Sequence, residues 1–202
     1  MLNRKLKRLL LTLLLIVLSG LSALPAQSAS QYFGITSGVW MPHSTTSYYY
    51  DRHGVYSTDT SYDTGWSLSG TYGIKLDNNL RAEWELGYKQ ASAKDSNDDS
   101  WVWASMVNCW WEAPIRGVAP YFGGGIGFGR SHVASYDMYD ATGGGITYQV
   151  GAGLNIPINR HGLSLDLGYR YFGFTSTSSD YYDSSNLDQS GSQISLGIRT
   201  RF

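Results

Sequence analysis

The last ten residues, Gln193 to Phe202, alternate strictly. Ile194, Leu196, Ile198, Thr200 and Phe202 fall on one parity, and Gln193, Ser195, Gly197, Arg199 and Arg201 on the other. Side chains of a strand point alternately to opposite faces, so this segment is a strand with one apolar and one polar surface. The chain stops there, on an aromatic of the apolar face. A soluble protein gains little from such an ending, whereas a strand closing a barrel in lipid gains an anchor at the membrane interface. Period alone leaves two arrangements open: a barrel filled with apolar side chains, or one surrounded by them.

At the other end, Arg4, Lys5, Lys7 and Arg8 precede an apolar run from Leu9 to Leu18, then Pro25 and Ala26-Gln27-Ser28. That order reads as a secretory signal peptide over residues 1–28, with cleavage after Ser28 or Ala29. The apolar run is shorter than the roughly 20 residues a membrane helix needs. No later stretch reaches that length, so a membrane-resident product of residues 29–202 has only a closed barrel open to it. Losing those four cations leaves 11 Lys+Arg against 16 Asp+Glu, a net charge of about −5 that argues against nucleic acid as a partner. Cys109 is the single cysteine, which excludes an internal disulfide, and no Cys/His spacing suggests a metal.

Eight strands are predicted. The first is Tyr32 to Met41, with Phe33, Ile35, Val39 and Met41 on one face, followed by a long polar stretch from Pro42 to Asp63. In the second, Trp66, Leu68, Gly70, Tyr72, Ile74 and Leu76 alternate with Ser67, Ser69, Thr71, Gly73 and Lys75. Asp77-Asn78-Asn79 is a tight turn. The third sets Leu80, Ala82, Trp84, Leu86 and Tyr88 against Arg81, Glu83, Glu85, Gly87 and Lys89. The fourth, Trp101 to Glu112, alternates poorly, because the neighbours Trp110 and Trp111 cannot share a face; a bulge or a strand end is expected there. The fifth, Pro120 to Arg130, carries Gly123-Gly124-Gly125, and its facing cannot be assigned. The sixth (Ile146 to Ile156), the seventh (Leu163 to Tyr171) and the closing strand alternate cleanly.

The connections run long, short, long, short, long, short, long. An even strand count with both termini at the short-turn side is the arrangement of outer-membrane barrels, long loops outside and tight turns in the periplasm. The polar parity of strands two and six holds Ser, Thr, Gly, Gln and Asn, with Lys75 its only charge. Small residues fit the crowded interior of an eight-stranded barrel. Trp66, Tyr88, Trp101, Trp103, Tyr148 and Tyr171 fall near the outer strand ends, and Phe33, Trp111 and Phe202 near the periplasmic ends. Such girdles place the apolar face outward. The expected fold is an all-β, eight-stranded antiparallel up-and-down transmembrane barrel.

Asp63-Thr-Gly-Trp through Gly73 and Leu80-Arg-Ala-Glu-Trp-Glu-Leu-Gly-Tyr88 resemble the second and third strands of the small outer-membrane β-barrel proteins labelled porin-family or opacity-type. Pro120-Tyr-Phe-Gly-Gly-Gly-Ile-Gly-Phe-Gly129, Leu165-Asp-Leu-Gly-Tyr-Arg-Tyr171 and the terminal Phe202 match later strands of the same family. The resemblance covers the whole mature chain and is specific for architecture, not for activity. It implies that Ile194, Leu196, Ile198, Thr200 and Phe202 form the terminal signal read by the barrel-assembly machinery, with Thr200 standing where a bulkier apolar residue is usual. It also implies residence in the outer membrane of a Gram-negative bacterium, among its lipid and lipopolysaccharide.

An eight-stranded barrel is filled by side chains, whereas open channels need about 16 strands. The interior should hold Lys75, Arg81, Glu83, Glu85, Lys89, Asp166, Arg170, Arg199 and Arg201, paired because unpaired confined charge is costly. Those pairs read either as a network fixing strand register or as a gate for small ions. The loops mix Tyr48, Tyr49, Tyr50, Tyr56, Tyr62, Tyr136, Tyr139, Tyr181 and Tyr182 with Ser, Thr and Asp, an adaptable combination suited to adhesion to a host or partner surface. Eleven loop Asp stand against Arg52 and Lys94. Beside lipopolysaccharide such charge suits divalent cations; it equally suits a plain solvated surface. A third class is an enzyme acting on lipid A, for which His43-Ser44, His53 and Ser131-His132 are the candidates. Such an enzyme needs a nucleophile and base within hydrogen-bond reach. No catalytic motif, cofactor or metal set is recognised.

Overall fold

Each alternating segment becomes a strand, and most strands run further into the connections than their alternation predicts. The computed structural model describes residues 30–51, 54–76, 79–94, 99–133, 141–158, 162–176 and 188–202. The signal peptide expected at 1–28 lies outside them. In chain order the strands are β1 (Ser30–Pro42), β2 (Thr45–Asp51), β3 (Gly54–Thr60), β4 (Gly65–Lys75), β5 (Leu80–Ser92), β6 (Asp99–Glu112), β7 (Ala119–Val133), β8 (Ala141–Pro157), β9 (Leu163–Ser176) and β10 (Gln189–Arg201).

Eight of these, β1 and β4 through β10, close into an antiparallel up-and-down barrel. Closure is made by β1, which pairs β10 from Tyr32–Arg201 to Pro42–Gly191 and pairs β4 from Ser30–Lys75 to Trp40–Gly65. A closed ladder leaves no strand edge, the condition lipid imposes on any spanning sheet. At the end bearing both termini the connections are tight. Leu76 N–H donates to the Leu80 carbonyl at 2.8 Å, with Asn79 at φ 63°, and Ile115 and Val118 bond reciprocally around Gly117 at φ 79°. Asparagine and glycine are the residues that tolerate this left-handed backbone.

Structure corrects the sequence reading at one place and settles two others left open. The polar stretch from Pro42 to Asp63 is not a plain loop, since β2 and β3 pair there as a separate two-stranded hairpin, Tyr49 opposite Tyr56. Of the bulge or strand end expected at Trp110-Trp111, there is no bulge, since β6 pairs β5 without interruption from Asp99 to Trp111, and the strand ends at Glu112. Trp110 is fully buried inside and Trp111 is 41% exposed outside, so the two indoles simply straddle the sheet. In β7, Tyr121 and Ser131 are buried inside while Phe122, Ile126 and Phe128 face out, which settles the facing of the glycine run. Glycine is required there by backbone approach. A Cβ at Gly123 or Gly127 would lie 2.1 Å from the carbonyl oxygen of Cys109 or Ser105 on β6.

The barrel is inverted relative to a soluble protein. Phe33, Ile35, Leu68, Trp84, Leu86, Val150, Leu167, Ile194 and Leu196 are exposed, whereas Arg81, Glu83, Glu85, Asp166 and Arg170 are buried. Outward aromatics gather at both rims. At the hairpin end Tyr88 packs against Trp66, Trp101 and Trp103, and Tyr148 against Tyr171. At the terminal end Phe33 packs against Tyr72 and Phe202, and Trp111 against Phe122.

Candidate functional site

The inward parities of the strands deliver charged side chains to one layer near the terminal end of the lumen. Glu83 on β5 is its hub. Its Oε2 accepts the Trp110 indole N–H at 2.8 Å, and its Oε1 accepts the Tyr32 hydroxyl and lies 2.9 Å from Arg81 Nε. Two residues on, Glu85 Oε2 collects three donors: Arg170 Nη1 at 2.7 Å, Asn108 Nδ2 at 2.9 Å and Gln149 Nε2 at 3.0 Å. Asp166 on β9 accepts the Tyr121 hydroxyl at 2.8 Å and is ion-paired with Arg199 Nη2. Arg81 lies over the Tyr121 ring, and Arg170 over Trp110 at 5.2 Å.

Among the described residues the buried charges balance, Arg81, Lys89, Arg170 and Arg199 against Glu83, Glu85, Glu112 and Asp166. Removing an ion from water costs several kcal/mol, and only good geometry with added hydrogen bonds offsets it. The three donors on one oxygen of Glu85 meet that condition. All eight barrel strands contribute a member: Tyr32, Lys75, Glu83, Trp110, Tyr121, Gln149, Arg170 and Arg199, from β1, β4, β5, β6, β7, β8, β9 and β10 in turn. A one-residue slip of any strand would turn its member out to the apolar face.

Of the residues the sequence assigned to this interior, Arg81, Glu83, Glu85, Asp166, Arg170 and Arg199 come together here. Lys75 sits at the mouth, 33% exposed, with Nζ 3.7 Å from Glu112 Oε2, and Arg201 is exposed at the same rim. Lys89 stands apart, its Nζ over the Phe172 ring at 4.3 Å. Sequence reasoning passed over Glu112, which completes the pairing of Arg81 at 3.3 Å. It shares the parity of Trp110, so reading Trp110 inward would have found it. Tyr32, Trp110 and Tyr121 were passed over because aromatics on an inward parity look like misplaced lipid-facing residues.

Toward the hairpin end the lumen changes character. Trp40, Ala91, Val102, Ala104, Met106, Phe172 and Phe174 form one buried apolar cluster inside the barrel. Apolar side chains thus fill part of the interior toward the hairpin end. Above the plug, Gln189 Nε2 donates to Ser100 Oγ at 2.6 Å and Ser131 Oγ at 2.9 Å.

Of the Ser-His neighbours, Ser131 and His132 point to opposite faces of the sheet. Ser131 is buried in the lumen, while His132 faces outward, stacks on Trp101 and bonds Thr142 Oγ1 through Nδ1 at 2.8 Å. Ser44 Oγ lies 3.4 Å from Ser61 Oγ, and His43 packs on the Tyr171 ring. His53, six of the eleven loop Asp (Asp95, Asp98, Asp137, Asp140, Asp180 and Asp183) and Tyr136, Tyr139, Tyr181 and Tyr182 lie outside the described residues. On β10, Ile194, Leu196, Ile198 and Phe202 point outward with more than half of each exposed, and Thr200 shares that face.

The model of the family described as outer membrane protein beta-barrel domain matches residues 13–202. Neisserial surface protein A aligns with TM-score 0.58 at 17% identity, over 87% of this chain and all of that one. A major outer membrane protein from Thermus thermophilus aligns with TM-score 0.50 at 14% identity, over 87% of this chain and all of that one. At these identities the likeness is one of fold. No curated protein matches the chain in sequence.

Proposed function

The chain belongs to the outer-membrane β-barrel family, and from that premise we propose that it is a surface-exposed, non-conducting protein of the outer membrane whose long connections bind a partner surface. The observation that carries this reading is the β2–β3 hairpin. It is a sheet of its own, joined to no barrel strand among the described residues. Among the described residues each of its strands therefore keeps a free edge, and free edges accept a further strand. Its sequence, Thr45–Asp51 and Gly54–Thr60, is rich in Tyr, Ser and Thr, the composition of adaptable binding loops. Its base is held by Asp63 N–H to the Ser92 carbonyl and Lys94 N–H to the Ser61 carbonyl, so the barrel presents it at a defined place.

In this reading the hairpin end faces the cell exterior beside lipopolysaccharide, and both termini face the periplasm. Ile194, Leu196, Ile198, Thr200 and Phe202 serve the barrel-assembly machinery as the terminal signal. Against the channel reading stands the apolar plug, since an ion passing Trp40, Phe172 and Phe174 would have to leave its water without polar partners. The test is replacement of residues 43–62 by a short Gly/Ser turn, with attachment of whole cells to host cells or matrix as the readout. Attachment should fall to the level of a deletion strain while the barrel still migrates faster unboiled than boiled. Undiminished attachment with a folded barrel would refute the proposal.

A further inference from the structure

The lumen is not sealed at the terminal end. Below the ion-pair layer a cup opens, lined among the described residues by Lys75, Arg81, Arg199 and Arg201 with Glu112 as the one carboxylate, and Ser164 on its wall. Four cations to one anion is the reverse of the molecule's overall charge balance. Deeper carboxylates take up part of this charge: Arg199 is held by Asp166 and Arg81 by Glu83. What remains lies at the mouth. Lys75 touches Glu112 only at 3.7 Å and keeps a third of its side chain in water; Arg201 is exposed. Enclosed behind them, Arg81 Nη2 has no hydrogen-bond acceptor, and its Nε contact to Glu83, though close, is not aligned as a hydrogen bond. Arg81 thus keeps an unused donor at the cup, and the charge beyond the balanced buried set is that of Lys75 and Arg201, set against low-dielectric walls that focus it.

We propose that this cup is a binding site for an oxyanion, a phosphate or carboxylate group presented from the side of the termini. Lys75 and Arg201 meet the anion directly by charge-assisted hydrogen bonds, the stronger kind, and Ser164 can donate from the wall. Glu112 opposes the anion and sets its affinity. The site lies at the opposite end from the hairpin and is independent of any role the hairpin has.

Inorganic phosphate is the probe, titrated into the full mature barrel in detergent micelles and followed by phosphorus NMR or calorimetry, with acetate as the carboxylate arm. Saturable binding is expected. The K75Q/R201Q double variant should bind about tenfold or more weakly, as for the loss of two charge-assisted contacts, and E112Q should bind more tightly. Lys75 and Arg201 lie at the rim and Glu112 is buried just inside it, so gel mobility before and after boiling checks that each barrel is closed. If E112Q fails to fold, the double variant decides alone. Phosphatidylglycerol doped into the micelles separates two sources: competition with phosphate assigns a lipid headgroup, and its absence a free anion. No saturable binding of phosphate or acetate, or equal affinity in the double variant, overturns the proposal.

Discussion

Trp110 on β6 donates its indole N–H to Glu83 on β5 at 2.8 Å, inside the lumen, while its neighbour Trp111 stands on the outer surface. Two adjacent, chemically identical side chains thus occupy opposite media. Trp110→Phe deprives a buried carboxylate of a donor and is expected to destabilise the barrel by about 1–3 kcal/mol, whereas Trp111→Phe should change it little. Equilibrium urea unfolding in lipid vesicles measures both. Brominated lipid should quench the fluorescence of Trp111 and spare Trp110; the reverse pattern would mean the register of β6 is wrong.

Glu85 tests whether the interior charges hold the fold. Replacing it with Ala leaves Arg170, Asn108 and Gln149 without their common acceptor, and a buried cation left alone costs about 3–5 kcal/mol. The Glu85→Ala/Arg170→Met double variant removes both charges and should recover a large part of that loss. A double variant no better than the sum of its parts would show the pair to be uncoupled.

The clean alternation of β4, β5, β8 and β10 made the barrel, its outward face and most of its interior charges legible in advance. Three things were not legible, each for a physical reason. Glycine has no side chain to reveal a parity, so Gly123-Gly124-Gly125 hid the facing of β7. The hairpin of residues 45–60 carries polar residues on both parities of its sequence, so it leaves no periodic signal. Trp40, Phe172 and Phe174 stand on inward parities where an outward-apolar pattern expects polar residues, so the plug was masked by the rule that found the barrel.

Two glycines separate space from backbone preference. A Cβ at Gly125 would fall 1.9 Å from Asn108 Oδ1, the atom that accepts Gln149 Nε2 at 2.7 Å. At Gly70 it would meet nothing within 4 Å. Gly125→Ala is expected to lose about 1–3 kcal/mol through overpacking, and Gly70→Ala to be neutral or slightly stabilising. Urea midpoints of the two variants, compared with the parent, give the answer directly.

The plug makes the strongest statement about permeability. Phe172 and Phe174 are buried side by side in sequence parity on β9, with Trp40 meeting Phe172 edge to face at 5.9 Å. The parent barrel in a planar bilayer should therefore show no steady conductance. Truncating Phe172 removes a large apolar group, at a cost of about 3–5 kcal/mol, and brings water toward Lys89, whose Nζ lies over that ring. Phe172→Ala/Phe174→Ala should therefore conduct in brief, small steps if the ion-pair layer below can part, and the same variant with Trp40→Ala should conduct more often. A parent barrel that conducts steadily would place the ion path through the plug and restore the channel reading; a graded rise from the parent through the double to the triple variant would locate the barrier at these rings.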